Sequence, residues 1–140
     1  MVAPTNIRFS SGVEERLASF VKLNAQSKNS VVNTAVSEWL RMQAHPRVRF
    51  IGIETGERRA ALVDGPQVWT IAESWLAHEP EHRDVGEVAE VLDLPRRAVE
   101  AALDYWAENR EEIDGILERH RAAQDDALAA WEARQRLQVA

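Results

Sequence analysis

The sequence predicts a mainly α protein with a short β element. Three observations predict it. Apolar residues recur at helical spacing in six segments, residue pairs of the helix-capping kind stand at the heads of several of them, and two stretches alternate with the two-residue period of a strand. The composition agrees with a packed chain: 140 residues, 45% hydrophobic and 29% charged, a globular balance rather than a disordered one. The length suits one ordinary domain or two very small ones.

The elements follow in order. Pro4 suits the edge or start of a strand, and Thr5 to Ser10 alternates, with Ile7 and Phe9 on one side and Asn6, Arg8 and Ser10 on the other. Ser11 with Glu14 forms a capping pair, so a helix should begin near Gly12, with Val13, Leu17, Phe20, Val21 and Leu23 inward. After a turn at 24–27, Asn29 or Ser30 can cap a second helix to about Gln43, with Val32, Ala35, Val36, Trp39 and Leu40 on one face. His45-Pro46 ends it. Residues 47–53 and 59–63 read as a hairpin around Thr55-Gly56-Glu57. Gly65-Pro66 opens a helix carrying Val68, Trp69, Ala72, Trp75 and Leu76 inward, with the proline in its first turn. Glu79-Pro80-Glu81 is a loop. Asp84 with Glu87 caps a short helix with Val85, Val88, Ala89 and Leu92 inward. Leu94-Pro95 is a tight break, and Pro95 starts a helix that buries Ala98, Val99, Ala102, Leu103 and Trp106. Asn109 with Glu112 can cap a last helix to about Gln138. The expected organisation is a strand–helix–helix module over 1–44, a hairpin-plus-helical domain over 45–112, and a C-terminal helix over 113–140.

Several function classes fall away. The chain has no cysteine, which excludes disulfides, cysteine-ligated zinc, iron–sulfur clusters and thiol catalysis. No apolar run approaches the roughly 18 residues of a membrane-spanning helix. Met1 to Ser10 lacks the apolar core of a secretory signal, so the expectation is a cytoplasmic protein with no membrane partner. The formal charge of −6 hides an uneven distribution. Residues 1–50 hold seven basic and three acidic side chains, a balance of +4, and residues 51–140 hold ten and twenty, a balance of −10. A basic module can hold phosphates while an acidic one faces elsewhere.

One short strand and two helices cannot close a core in about 40 residues. A second copy supplies the remedy: two strands pair antiparallel across a two-fold axis, Ile7 and Phe9 cover a shared four-helix core, and Asn6 and Arg8, doubled by symmetry, face outward. Such a two-stranded ribbon fits the major groove of B-DNA, where arginine reads guanine and asparagine reads adenine.

Here the residues carry a resemblance. Asn6-Ile7-Arg8-Phe9-Ser10, the Ser11–Glu14 pair and Ser27-Lys28-Asn29-Ser30 look like the Arc- and MetJ-like ribbon-helix-helix family. The match covers residues 4–43. The resemblance implies an intertwined homodimer, with Ile7, Phe9, Leu17, Val36 and Trp39 in the dimer core. It implies base reading by Asn6 and Arg8, with Pro4 at a third outward position where it offers no donor. It also implies a phosphate held at the start of the second helix, at Lys28, Asn29 and Ser30, where free N–H groups and the helix dipole favour an anion.

Residues 46–116 resemble a second family. His45-Pro46-Arg47-Val48-Arg49-Phe50, Gly56-Glu57-Arg58-Arg59-Ala60 and Gly65-Pro66-Gln67-Val68-Trp69, continued by Leu94-Pro95, Val99 to Trp106 and Glu111 to Asp114, look like a small domain of unknown function found in VapB-type antitoxins, often encoded beside PIN-like ribonuclease toxins. Residues 84–108 also read as a helix-turn-helix. Arg96, Arg97 and Glu100 would then stand where base contacts are usually made, although Asp93, Glu100, Asp104 and Glu108 flank the pair and would repel phosphate. Arg58-Arg59 is equally a phosphate contact or a solvated turn.

The last helix has a broken apolar stripe. A late tryptophan on a protruding helix often anchors an interface, and antitoxins commonly place such a segment in a toxin's groove. The residues expected at a toxin are Ile113, Leu117, Arg121, Leu128, Trp131 and Arg134; packing on the domain or on a dimer mate is the competing use. Arg119 and Arg136 are further candidates to reach an acidic toxin site.

Enzyme readings are weaker. His78 and His82 have a nominal metal spacing beside Glu79 and Glu81, but Pro80 breaks the helix that would align them. His45 and His120 are isolated, and there is no glycine-rich phosphate loop or nucleophile elbow. Trp39, Trp69, Trp75 and Trp106 sit on apolar helix faces and read as core. No catalytic residue, metal or cofactor is expected. The resulting expectation is a type II antitoxin that neutralises a PIN-like ribonuclease toxin and represses its own operon through double-stranded operator DNA, residing with the nucleoid when bound. A stand-alone transcriptional regulator whose second module oligomerises or senses a ligand is the alternative. A toxin-binding protein without DNA binding is another.

Overall fold

The computed structural model describes residues 3–140. It is mainly α with a short β element: six α-helices and one two-stranded antiparallel sheet among the described residues. The chain divides into two compact units, residues 1–41 and 42–140.

In the first unit, residues 3–10 belong to no helix or strand. The strand expected at 5–10 is therefore not formed within one chain, because no other segment of it offers a ladder of backbone partners. Ser10 is extended, at φ −64° and ψ 157°, and caps α1 (Ser11–Asn24) by accepting a hydrogen bond from the Val13 N–H at 3.4 Å. The cap is thus Ser10 rather than Ser11, one residue before the expected position. Helix α1 ends at Ala25, which adopts the left-handed conformation at φ 50° and closes the last turn with its N–H on the Val21 carbonyl. Helix α2 (Lys28–Ala44) starts where the Ser27 hydroxyl accepts from the Ser30 N–H at 3.0 Å. Ser27, not Asn29 or Ser30, is the cap.

The second unit builds a core of its own. Strands β1 (Val48–Gly52) and β2 (Arg58–Leu62) pair with Val48 opposite Leu62 and Gly52 opposite Arg58. Gly56 turns the hairpin at φ 86°, a conformation that costs glycine least. Pro66 lies just before α3 (Val68–Ala77) rather than in its first turn; its carbonyl accepts the Leu62 N–H at 2.9 Å and ties the helix entry to β2. A single 3₁₀ turn spans Pro80–His82. Asp84 caps α4 (Val85–Leu92) as expected, accepting from the Glu87 N–H at 3.1 Å. Asp93, left-handed at φ 54°, with Leu94 and Pro95 makes the break before α5 (Arg96–Glu108). Helix α6 (Arg110–Leu137) follows. Asn109 precedes it without capping; its amide donates back to the Tyr105 carbonyl at 2.9 Å.

Both strands and helices α3 to α6 contribute to one cluster. Leu62, Val68, Ile71, Val88, Ala98, Val99, Tyr105 and Ile113 are fully buried, and Phe50, Trp69, Trp75 and Trp106 pack on its edge. Leu103 and Trp106, expected on the buried face of α5, are half-buried, while Tyr105 fills the centre. Ile113 and Ile116 belong to this core, so the boundary expected at 112/113 cuts through packed side chains.

Candidate nucleic-acid interface

Asn6 and Arg8 are exposed on the segment that precedes α1 and carry no hydrogen bond or ion pair among the described residues. Ile7, between them, is 60% exposed, and Phe9 is half-buried. Lys28 reaches back to this segment, with its Nζ 5.8 Å from the centre of the Phe9 ring, a cation–π distance.

The start of α2 has mixed resources for an anion. The Ser30 N–H is already taken by Ser27, and the Asn29 carbonyl accepts the Asn33 amide at 2.8 Å. The N–H groups of Lys28 and Asn29 have no protein partner among the described residues, as expected in a helix's first turn. The Lys28 ammonium is engaged: it pairs with Glu14 of α1 at 2.6 Å. Both side chains are about half exposed, so the pair adds little stability. Its effect on an incoming phosphate is larger, since Glu14 offsets the charge that Lys28 brings.

The residues expected in a dimer core lie largely open in the single chain. Helix α1 buries none of its residues, and α2 buries only Glu38. Val13, Phe20, Val36, Trp39 and Leu40 are all between 46% and 57% exposed; Leu17 is half-buried. Trp39 is therefore not a core residue of one chain. Two amphipathic helices with their apolar stripes in water are unstable as they stand.

In the second unit, the arginines at the head of α5 are exposed and lie along neighbouring surface groups. The Arg96 guanidinium lies over the first turn of α4, with Nη1 2.9 Å from where a Cβ on Gly86 would stand. Arg97 and Arg47 both approach Asp64, at 3.9 and 3.8 Å. An open cleft of about 350 Å³ beside Arg47 and Arg97 is also lined by Glu100 and Asp104, whose charge opposes a phosphate. In the hairpin, Arg59 is mostly buried and bonds to Glu57 at 3.1 Å and Gln67 at 3.5 Å. Arg119 joins the same carboxylate at 2.9 Å. Hydrogen bonding from Arg59 foremost, then the charges of Arg59 and Arg119, hold the Glu57 carboxyl below its usual range against the opposing effect of burial. Arg119 therefore ties the hairpin turn to α6, while Arg59 links it to Gln67 before α3.

The residues expected at a toxin separate into two groups. Ile113 is 0% exposed and Leu117 packs on the core, so Ile113 cannot meet a partner without unfolding the unit. Arg121, Leu128, Trp131 and Arg134 are exposed on the part of α6 that extends beyond the core. The histidines are spread among local contacts. His78 Nδ1 lies 2.7 Å from the Ser74 carbonyl, His82 pairs with Glu87 at 3.3 Å, and His120 lies tilted against Trp69, ring centres 4.7 Å apart, and pairs with Glu73 at 3.2 Å. No group of three or more His, Asp or Glu is placed to hold a metal ion among the described residues, and no helix among them is long and apolar enough to cross a membrane.

One part-buried polar cluster is not evident from the sequence. His45 Nε2 lies 2.7 Å from Glu108 Oε2, and Tyr105 donates its hydroxyl to Glu112 at 2.5 Å. The His45 and Tyr105 rings meet edge-on at 5.1 Å. Tyr105 stands one position before Trp106 on the same apolar face, which was the available signal. Comparison of the chain with known protein families, with curated proteins and with solved structures finds no match.

Proposed function

We propose that this protein is an antitoxin that represses its own operon. Its N-terminal unit dimerises and reads DNA; its second unit, with the exposed end of α6, binds a cognate toxin of the PIN-like ribonuclease kind. One observation carries the reading. Helices α1 and α2 leave their apolar stripes open, and they follow a segment outside helix and strand with Asn6 and Arg8 exposed and unpartnered among the described residues. A second copy covers both stripes and pairs the two segments as a ribbon. Each dimer then presents two Asn6 and two Arg8 side chains to a major groove. A good bidentate base contact discriminates by about 1–3 kcal/mol. Phosphate contact falls to the Lys28 and Asn29 N–H groups and the Ser30 hydroxyl, since the Ser30 N–H is held by Ser27.

The toxin half of the reading rests on the resemblance of residues 46–116 to VapB-type antitoxins and on Arg121, Leu128, Trp131 and Arg134, which remain exposed beyond the core. Co-expression with the product of the adjacent reading frame tests it. The expected outcome is a complex that co-purifies and rescues growth. A neighbour that is harmless alone, or does not bind, would leave the stand-alone regulator instead.

A further inference from the structure

Helix α6 meets the core with Ile113, Ile116, Leu117 and His120. Followed at 100° per residue, the same face continues as Gln124, Ala127, Leu128, Trp131 and Gln135. None of these five is charged. Arg121, Asp125, Asp126, Glu132, Arg134 and Arg136 flank or oppose them. Leu128 is 55% and Trp131 51% exposed. The stripe that holds α6 to its own domain thus runs on past that domain with nothing of this unit over it.

We infer that the free stripe packs against the same stripe of a second copy, with the two helices antiparallel and crossing at Ala127 and Leu128. The pattern is complementary to itself in that direction. With the two-fold axis at Ala127–Leu128, Trp131 falls opposite Gln124 of the other copy, a broad indole against a slim amide stem. Leu128 falls beside Ala127. Arg121 comes within a turn of Glu132, twice by symmetry, and opposite charges meet on the flank. A parallel pair would set Trp131 on Trp131 at equal height and crowd the seam. The free half of the helix is about 25 Å long. Two such stripes bury less than the roughly 1,200 Å² a stand-alone interface needs. The contact therefore depends on chains already joined through their N-terminal units, where the effective concentration is high, and in this it rests on the dimer proposed above. Any partner protein taking the same stripe must first displace the second copy.

The absence of cysteine makes the test direct. Single-cysteine variants of the full chain are oxidised mildly and run on a non-reducing gel, with circular dichroism as a check on folding and sedimentation to give the mass. Ala127→Cys lies at the axis and should form a disulfide-linked dimer nearly to completion. Ala133→Cys, on the opposite face, and Gln135→Cys, away from the axis, should remain uncrosslinked. Equal crosslinking of Ala127→Cys and Ala133→Cys in a protein of dimer mass would overturn the inference and reserve the stripe for a different protein. Strong self-crosslinking of Gln135→Cys would replace the antiparallel pair with a parallel one. A monomer mass would sink the N-terminal dimer and this inference together, so the two failures are separable.

Discussion

Single charged side chains set the terms of the proposed DNA contact and of the response to acid. Lys28 stands beside the expected phosphate but is held by Glu14 at 2.6 Å. Glu14→Gln removes that competitor, and operator affinity should rise by about two- to fivefold, the range of a half-exposed ion pair; titrated fluorescence anisotropy checks it. Glu57 acts on stability instead. Its carboxyl is held below the ordinary value of 4.5, chiefly by the Arg59 hydrogen bond. A depressed carboxylate stabilises the fold above its unfolded pKa and loses that contribution as pH falls through the lowered folded value. Urea midpoints of the wild type should therefore fall as pH drops below about 4.5. Glu57→Gln should start from a lower midpoint at neutral pH and show a shallower acid decline. Asp114, lowered foremost by the Trp106 indole N–H and also by Arg110, should leave part of that decline in place.

Elements were more legible in the sequence than the joints between them. The hairpin, the Asp84 cap and all six helices are written in periodicity and capping pairs. Caps slipped where two candidates adjoin: Ser10 and Ser11 are both serines, and Ser27 competes with Asn29 and Ser30, so composition alone cannot choose the hydroxyl that reaches the right N–H. The strand at 5–10 was legible as alternation, but alternation cannot supply a pairing partner. Tyr105 was missed because a phenol is at home in water or in a core, and its place depends on Glu112, which follows in the next helix. Helix α6 shows the same difficulty at larger scale. Its broken apolar stripe runs along one uncharged face from Ile113 to Gln135, and only the tertiary fold reveals that its first turns are core and its last are not. Ile113→Ala should thus cost about 2–5 kcal/mol of stability in urea denaturation. Deleting residues 122–140 should leave the thermal transition and operator binding intact while the toxin is lost in pull-down. If the shortened chain still captured toxin, the contact would lie elsewhere in the second unit.

At the scale of the whole chain, charge follows the compact units less sharply than it follows the first 50 residues. Residues 1–41 hold five basic and three acidic side chains, a balance of +2. Arg47 and Arg49 belong to the second unit, and Arg47 turns toward Asp64. The N-terminal unit is therefore only weakly basic; on the proposed reading, affinity for an operator comes from base contacts by Asn6 and Arg8 more than from phosphates, with a correspondingly shallow dependence on salt. The most direct measurement is a gel shift on the chain's own upstream DNA, in excess non-specific competitor, comparing wild type with Arg8→Ala and reading the sedimentation mass of each. The account predicts a sequence-specific complex for the wild type, none for Arg8→Ala, and a dimer in both. Sequence-specific binding retained by Arg8→Ala would contradict it.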